Sequence, residues 1–144
     1  MIVIGIGNEF RHDDAIGLIV ARRLRELGVA AEEVEPDVAI LADRWNGVDG
    51  VVLVDAVSSG AAPGTIHQLD VTTEPAQLNL FKGSTHALGL PEAIELSRQL
   101  GRLPRRVIVL GIEGEDFSPG VGLSPKVERV VPRLIELARE RLCT

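Results

Sequence analysis

The chain has 144 residues with 15 Lys+Arg against 21 Asp+Glu, a formal net charge of −6. This is the length of one domain (1–144) that buries its core without a staple, and the single Cys143 could not supply an internal one. The acidic balance argues against a nucleic-acid binder, whose affinity rests on phosphate neutralisation. The apolar runs fall far short of a bilayer span, and no basic segment with a cleavage site opens the chain, so the expectation is a soluble, cytoplasmic monomer with no membrane partner.

Ile2–Ile6 is rich in branched residues and reads as a buried strand. After the irregular Gly7–Asp13 comes a predicted helix, Asp14–Gly28, with Ile16, Val20, Leu24 and Leu27 on one face and Gly28 as its stop. Ala31–Glu35 reads as a second strand. Asp37 can cap a short helix in which Leu41 and Trp45 lie one turn apart. Gly50–Asp55 is apolar on both faces, as central parallel strands are. Thr65–Val71 follows a Pro63-Gly64 turn too closely for a parallel crossover and is expected as an antiparallel edge strand. A loop, Thr72–Leu90, leads to a helix that Pro91 opens and Gly101 closes. Arg106–Gly111 is the fifth strand. Ser124-Pro125 supplies an N-cap and a first-turn proline for the last helix, which Pro132 should kink.

Strands alternating with helices give an α/β fold of three layers: a mostly parallel five-stranded sheet, helices on both faces and one antiparallel edge strand. The first and third strands, the most apolar, are expected to be central neighbours. Sites in such sheets form beyond the carboxyl ends of the strands, where the strand order changes direction, which directs attention to Gly7–Asp14 and Asp55–Gly60.

Gly5-Ile6-Gly7-Asn8-Glu9-Phe10 starts like a dinucleotide fingerprint, but Phe10 replaces its third glycine. Asp13 and Asp14 would then occupy the helix N-terminus and repel a pyrophosphate, so no nucleotide is expected. Helix capping accounts for one of these aspartates and leaves the other to point elsewhere. Asp55 ends the run Val51–Val54, where an ionised side chain needs a partner or a ligand; the plain alternative is an Asx-type turn onto Val57–Gly60. His86 lies in the long loop. His12 adjoins the aspartate pair and is a weaker candidate, and His67 is expected to face solvent from mid-strand. Two carboxylates and one imidazole converging beyond the first and third strands would suit a borderline divalent ion, Zn²⁺ or Ni²⁺, with an open coordination position. No Gly-x-Ser-x-Gly elbow, CxxC or HExxH competes with this.

As a set, these residues resemble the nickel-iron hydrogenase maturation endopeptidases. The likeness runs the length of the chain: Gly5-Ile6-Gly7-Asn8, Asp13-Asp14-Ala15-Ile16-Gly17, Val54-Asp55-Ala56-Val57, Ala62-Pro63-Gly64-Thr65, Ser84-Thr85-His86-Ala87-Leu88-Gly89-Leu90, Gly111-Ile112-Glu113 and Gly122-Leu123-Ser124-Pro125. The resemblance implies a twisted five-stranded sheet. It implies a metal-dependent or aspartyl-type endopeptidase that trims the C-terminal peptide of a hydrogenase large-subunit precursor after nickel insertion. Two acidic residues and a histidine of the family sense the nickel, and these fall on Asp14, Asp55 and His86 as metal and catalytic positions. A further acidic residue after the second strand falls on Asp37 or Glu35, where this chain reads Glu35-Pro36-Asp37-Val38 and departs from members with a Gly-rich stretch. The nickel would arrive with the precursor. A non-catalytic nickel-dependent checkpoint or chaperone, and a small-ligand binding protein using the Gly5–Phe10 turn, are the other classes open at this point.

Three further expectations follow. Asp13 caps the first helix and tolerates Asn, whereas Asp14 is the ligand. Leu78, Leu80 and Phe81, in Pro75–Lys82, form an apolar docking patch for the large subunit or else a satellite core. Capture of the metal weakens as pH falls through about 6–7 because protons compete for His86, while Asp14 and Asp55 stay ionised.

Overall fold

The computed structural model describes residues 1–74 and 90–143. Five strands, β1 (Ile2–Ile6), β2 (Ala31–Val34), β3 (Gly50–Val57), β4 (Ile66–Asp70) and β5 (Arg106–Glu113), form one sheet in the order β2-β1-β3-β5-β4. β2, β1, β3 and β5 run parallel, and β4 pairs antiparallel to β5 at the edge. The crossover from β1 goes outward to β2, and the chain then returns to the other side of β1 to lay down β3. The strand order therefore reverses between β1 and β3, and a crevice opens there at their carboxyl ends.

Alternation along the strands sorts the core into two layers. Val52, Val54 and Ala56 of β3, with Ile108, Leu110 and Ile112 of β5, face α1 (Ile16–Glu26) and α5 (Val131–Cys143). Val51, Leu53 and Val57, with Val107 and Val109, face α2 (Val38–Arg44) and α3 (Leu90–Gln99). α2 and α3 are tied by a fully buried bond of 2.8 Å from Trp45 Nε1 to Ser97 Oγ. No helix among the described residues is long and apolar enough to cross a membrane.

Four boundaries depart from the sequence reading. The first helix does not start at Asp14: His12–Ala15 is a 3-10 turn, and α1 begins at Ile16. β3 and β5 pair beyond the expected ends, as far as Val57 beside Glu113, so Asp55 stands inside its strand rather than after it. The last helix is two: α4 (Pro125–Glu128) and α5, which carries Pro132 in its first turn where the ring is tolerated, so Pro132 follows a break instead of kinking a continuous helix. Ser124 sits at the N-cap of α4, but its hydroxyl makes no capping bond.

Glycines allow the first helix to sit directly on the sheet. A Cβ at Gly5 would lie 1.9 Å from the Gly17 carbonyl oxygen, and one at Gly17 would lie 2.2 Å from that of Val54 and 2.5 Å from that of Ile6. A Cβ at Gly7 would meet the Asp14 carbonyl oxygen at 1.9 Å. The turn bearing Asp14 is thus pressed backbone to backbone against β1, beside β3.

Candidate functional site

The 3-10 turn delivers Asp14 to the β1–β3 crevice, almost completely buried at 4% exposure. Its Oδ2 accepts from the Asn8 N–H at 3.1 Å, and its Oδ1 has no hydrogen-bond partner among the described residues. Burial pushes this carboxyl up from 3.8 to about 6, against the smaller opposing pull of the Asn8 amide and the Arg11 charge.

Asp55 is fully buried within β3, on the face that Leu53 and Val57 share. Among the described residues neither of its oxygens has a hydrogen-bond partner, and the Asx-turn alternative does not hold: the strand continues through the position where that turn would form. Burial first, and the charge of Asp14 second, push its carboxyl well above the ordinary range; the neighbouring Ala56 N–H eases this slightly without being aligned as a bond. Asp14 and Asp55 are therefore close enough to feel one another. Three of their four oxygens are buried and unpartnered.

Such an arrangement is costly in an apolar interior unless a cation or proton compensates it. The donor set, oxygens from two carboxylates, fits a divalent ion. Among the described residues no three His, Cys, Asp or Glu side chains cluster to hold a metal ion, and His86, the expected third donor, lies outside the described residues. Leu78, Leu80 and Phe81 lie outside them too.

The raised pKa values correct one expectation. Asp14 does not stay fully ionised through the histidine range, because burial lifts its carboxyl to about 6, and burial with the Asp14 charge pushes Asp55 upward as well.

Asp37 lies at the start of α2. It caps α2, accepting from the Ile40 N–H at 3.0 Å, and is exposed. With Glu35, Gly7, Asn8 and Phe10 it lines a cleft of about 570 Å³ at the ends of β1 and β2. The amides of the Gly5–Phe10 turn are taken by the protein itself: Gly7 N–H donates to Val34, Asn8 N–H to Asp14 and Phe10 N–H to the Asn8 side chain. That leaves little to cradle a phosphate.

Asp13 does not cap α1. Fully buried, it reaches away from the helix and accepts from the N–H groups of Glu115 (2.7 Å), Asp116 (3.0 Å) and Ser124 (2.8 Å) and from the Ser124 hydroxyl (2.8 Å). This is why Ser124 cannot cap α4 with its side chain. His12 is committed as well: its Nδ1 donates to the Gly122 carbonyl at 2.9 Å.

Sequence reasoning gave no separate role to a further buried carboxylate. Glu113, at the end of β5, accepts from the Ser59 N–H and hydroxyl and bonds His67 Nε2 at 3.0 Å. His67 does not face solvent: it shares the inward face with Leu69, and Gln68 takes the outward one. Glu113 carries the signal that marked Asp55, a charge closing an apolar strand, and could have been found by it.

A family model described as hydrogenase maturation protease matches residues 37–141. The hydrogenase 2 maturation protease of Escherichia coli K12 is 32% identical over 143 residues, covering 94% of this chain and 86% of the relative. The solved structure of the hydrogenase maturating endopeptidase HybD from E. coli superposes with a TM-score of 0.86 at 28% identity, covering 98% of this chain and 90% of that one. The [NiFe] hydrogenase maturation protease HybD from Thermococcus kodakarensis gives 0.78 at 28% identity, with 96% of each chain covered.

Proposed function

Because the chain belongs to the hydrogenase maturation protease family, and so is a peptidase, we propose that it removes the C-terminal peptide of a nickel-iron hydrogenase large-subunit precursor once nickel is in place. On this reading Asp14 and Asp55, completed by His86, take hold of the precursor's nickel. The nickel belongs to the substrate, and its capture reports that loading has succeeded.

The observation that carries the proposal is the pair of buried carboxylates with three unpartnered oxygens at the strand-order reversal. A fold held together only by its own contacts has no use for that arrangement, and an incoming cation relieves it. Any proton on these carboxylates would leave as the ion arrives, since ligands bind metal deprotonated. The captured ion would place the scissile peptide beside the site and supply Lewis-acid chemistry, polarising its carbonyl or acidifying a water. Without nickel the peptide is not held, and unloaded precursor is spared.

The test is mass spectrometry of candidate large-subunit precursors from the same cell, incubated with the protein in nickel-loaded and nickel-free form. Loss of a C-terminal peptide from the loaded form alone, abolished in Asp14→Asn and Asp55→Asn, is the expected result. Equal trimming of both forms would refute nickel sensing, and binding without trimming would mark a checkpoint instead of a protease.

A further inference from the structure

We infer that Asp13 is a positioning residue: its carboxylate clamps the 115–124 segment onto the turn that carries Asp14, and so sets where the Asp14 carboxylate stands. The inference rests on the reading of Asp14 as a nickel ligand.

Asp14 itself is weakly held. Among the described residues one hydrogen bond, from the Asn8 N–H, fixes Oδ2, and Oδ1 has none. Its position must therefore come from the backbone of the turn. That backbone is fixed on one side by β1, where Gly7 lets the Asp14 carbonyl approach to a distance that excludes any Cβ. On the other side stands the 115–124 segment. The His12 N–H donates to the Gly120 carbonyl at 3.0 Å, the Asp13 N–H to the Asp116 carbonyl at 2.9 Å, and the Gly120 N–H to the Phe10 carbonyl at 2.8 Å.

The Asp13 carboxylate is the centre of this joint. It gathers four donors from both ends of the segment, Glu115 and Asp116 at one end and Ser124 at the other. Charge-assisted bonds of this kind are the stronger class. Only a carboxylate offers acceptors at both oxygens; an amide would turn one of them into a donor facing a donor. The arrangement has the form of an outer partner that orients a ligand, a role whose loss typically lowers metal affinity or activity about 10–100-fold.

The test compares wild type, Asp13→Asn, Ser124→Ala and Asp14→Asn on a nickel-loaded precursor that the wild type cuts, at a temperature where near-ultraviolet circular dichroism shows each variant folded. Cutting by wild type and none by Asp14→Asn is the control for the ligand reading; failure there removes that reading and this inference with it. Given the control, Asp13→Asn is expected to lower kcat at least about 10-fold with a smaller change in KM for the nickel-loaded precursor, measured on the same samples. Ser124→Ala removes one donor and leaves the three amides, so a smaller fall, about 3-fold, is expected; it decides the matter if Asp13→Asn does not fold. Wild-type kcat in the folded variants, or a change confined to KM, would overturn the positioning role and leave Asp13 a structural tie, with the ligand reading intact.

Discussion

Replacing Asp14 by Asn is expected to make the protein more stable while destroying its site. The carboxyl is raised from 3.8 to about 6 chiefly by burial. At about 1.4 kcal/mol per unit, keeping it ionised in the fold costs about 3 kcal/mol at neutral pH. That figure is an upper bound, because solvent at the crevice screens part of the charge. The amide keeps an acceptor for the Asn8 N–H and carries no charge, and losing the Asp14 charge also relieves Asp55. The sign follows from the raised value. The penalty is absent below the unfolded value of 3.8, grows as pH rises and is complete above about 6. Thermal and urea unfolding of both proteins with chelator present should show the Asp14→Asn variant ahead at pH 7 by up to about 3 kcal/mol, a rise in melting temperature of roughly 6–12 °C. The gap should close towards pH 4. A variant less stable than wild type at pH 7, or a gap of the same size at both pH values, would refute the assignment of the cost to a buried charge.

Three more outcomes are expected. In His86→Gln, capture of nickel-loaded precursor should weaken yet still decline with falling pH, because the Asp14 carboxyl, raised to about 6, takes up a proton too; a flat binding profile between pH 5 and 8 would show that the histidine alone responds. Gly17→Ala places a Cβ about where the Val54 and Ile6 carbonyl oxygens stand and should cost at least about 3 kcal/mol in urea unfolding, with cutting impaired in whatever folds; a loss under about 1 kcal/mol would mean that the helix can lift without consequence. Ser97→Ala leaves the buried Trp45 Nε1–H without its acceptor and should cost about 1–3 kcal/mol by chemical denaturation while cutting is unchanged, since the bond lies in the α2–α3 layer.

The parts of the fold that the sequence made legible are those written in local periodicity. Ile2–Ile6 and the antiparallel edge strand followed from branched runs and a short connection, and Asp55 stood out because a charge closes an apolar run. What escaped depends on partners far along the chain. The donors to Asp13 lie 102 to 111 residues away, so nothing near the aspartate distinguishes a clamp from a cap. The extension of β3 and β5 past Asp55 is decided by each strand's neighbour, not by its own composition. His67 was misplaced for the same reason: alternation gives two faces, and only the pairing with β5 says which is inside. Glu113 is different. Its signal was local and was passed over because no motif gave it a task.

The glycine contacts beneath the first helix have a consequence for redesign. Where backbone meets backbone, no side chain remains through which a designer could widen, tilt or recharge the frame under Asp14 and Asp55. Freedom is concentrated on the rim, where Phe10 (64% exposed) and Val121 (72% exposed) are carried by two segments hydrogen-bonded to each other through Phe10 and Gly120. On the function proposed above, retargeting towards another precursor would start by exchanging these two segments as a matched pair, with Asp13 and Ser124 retained as the joint and the bed on which the ion would sit left untouched.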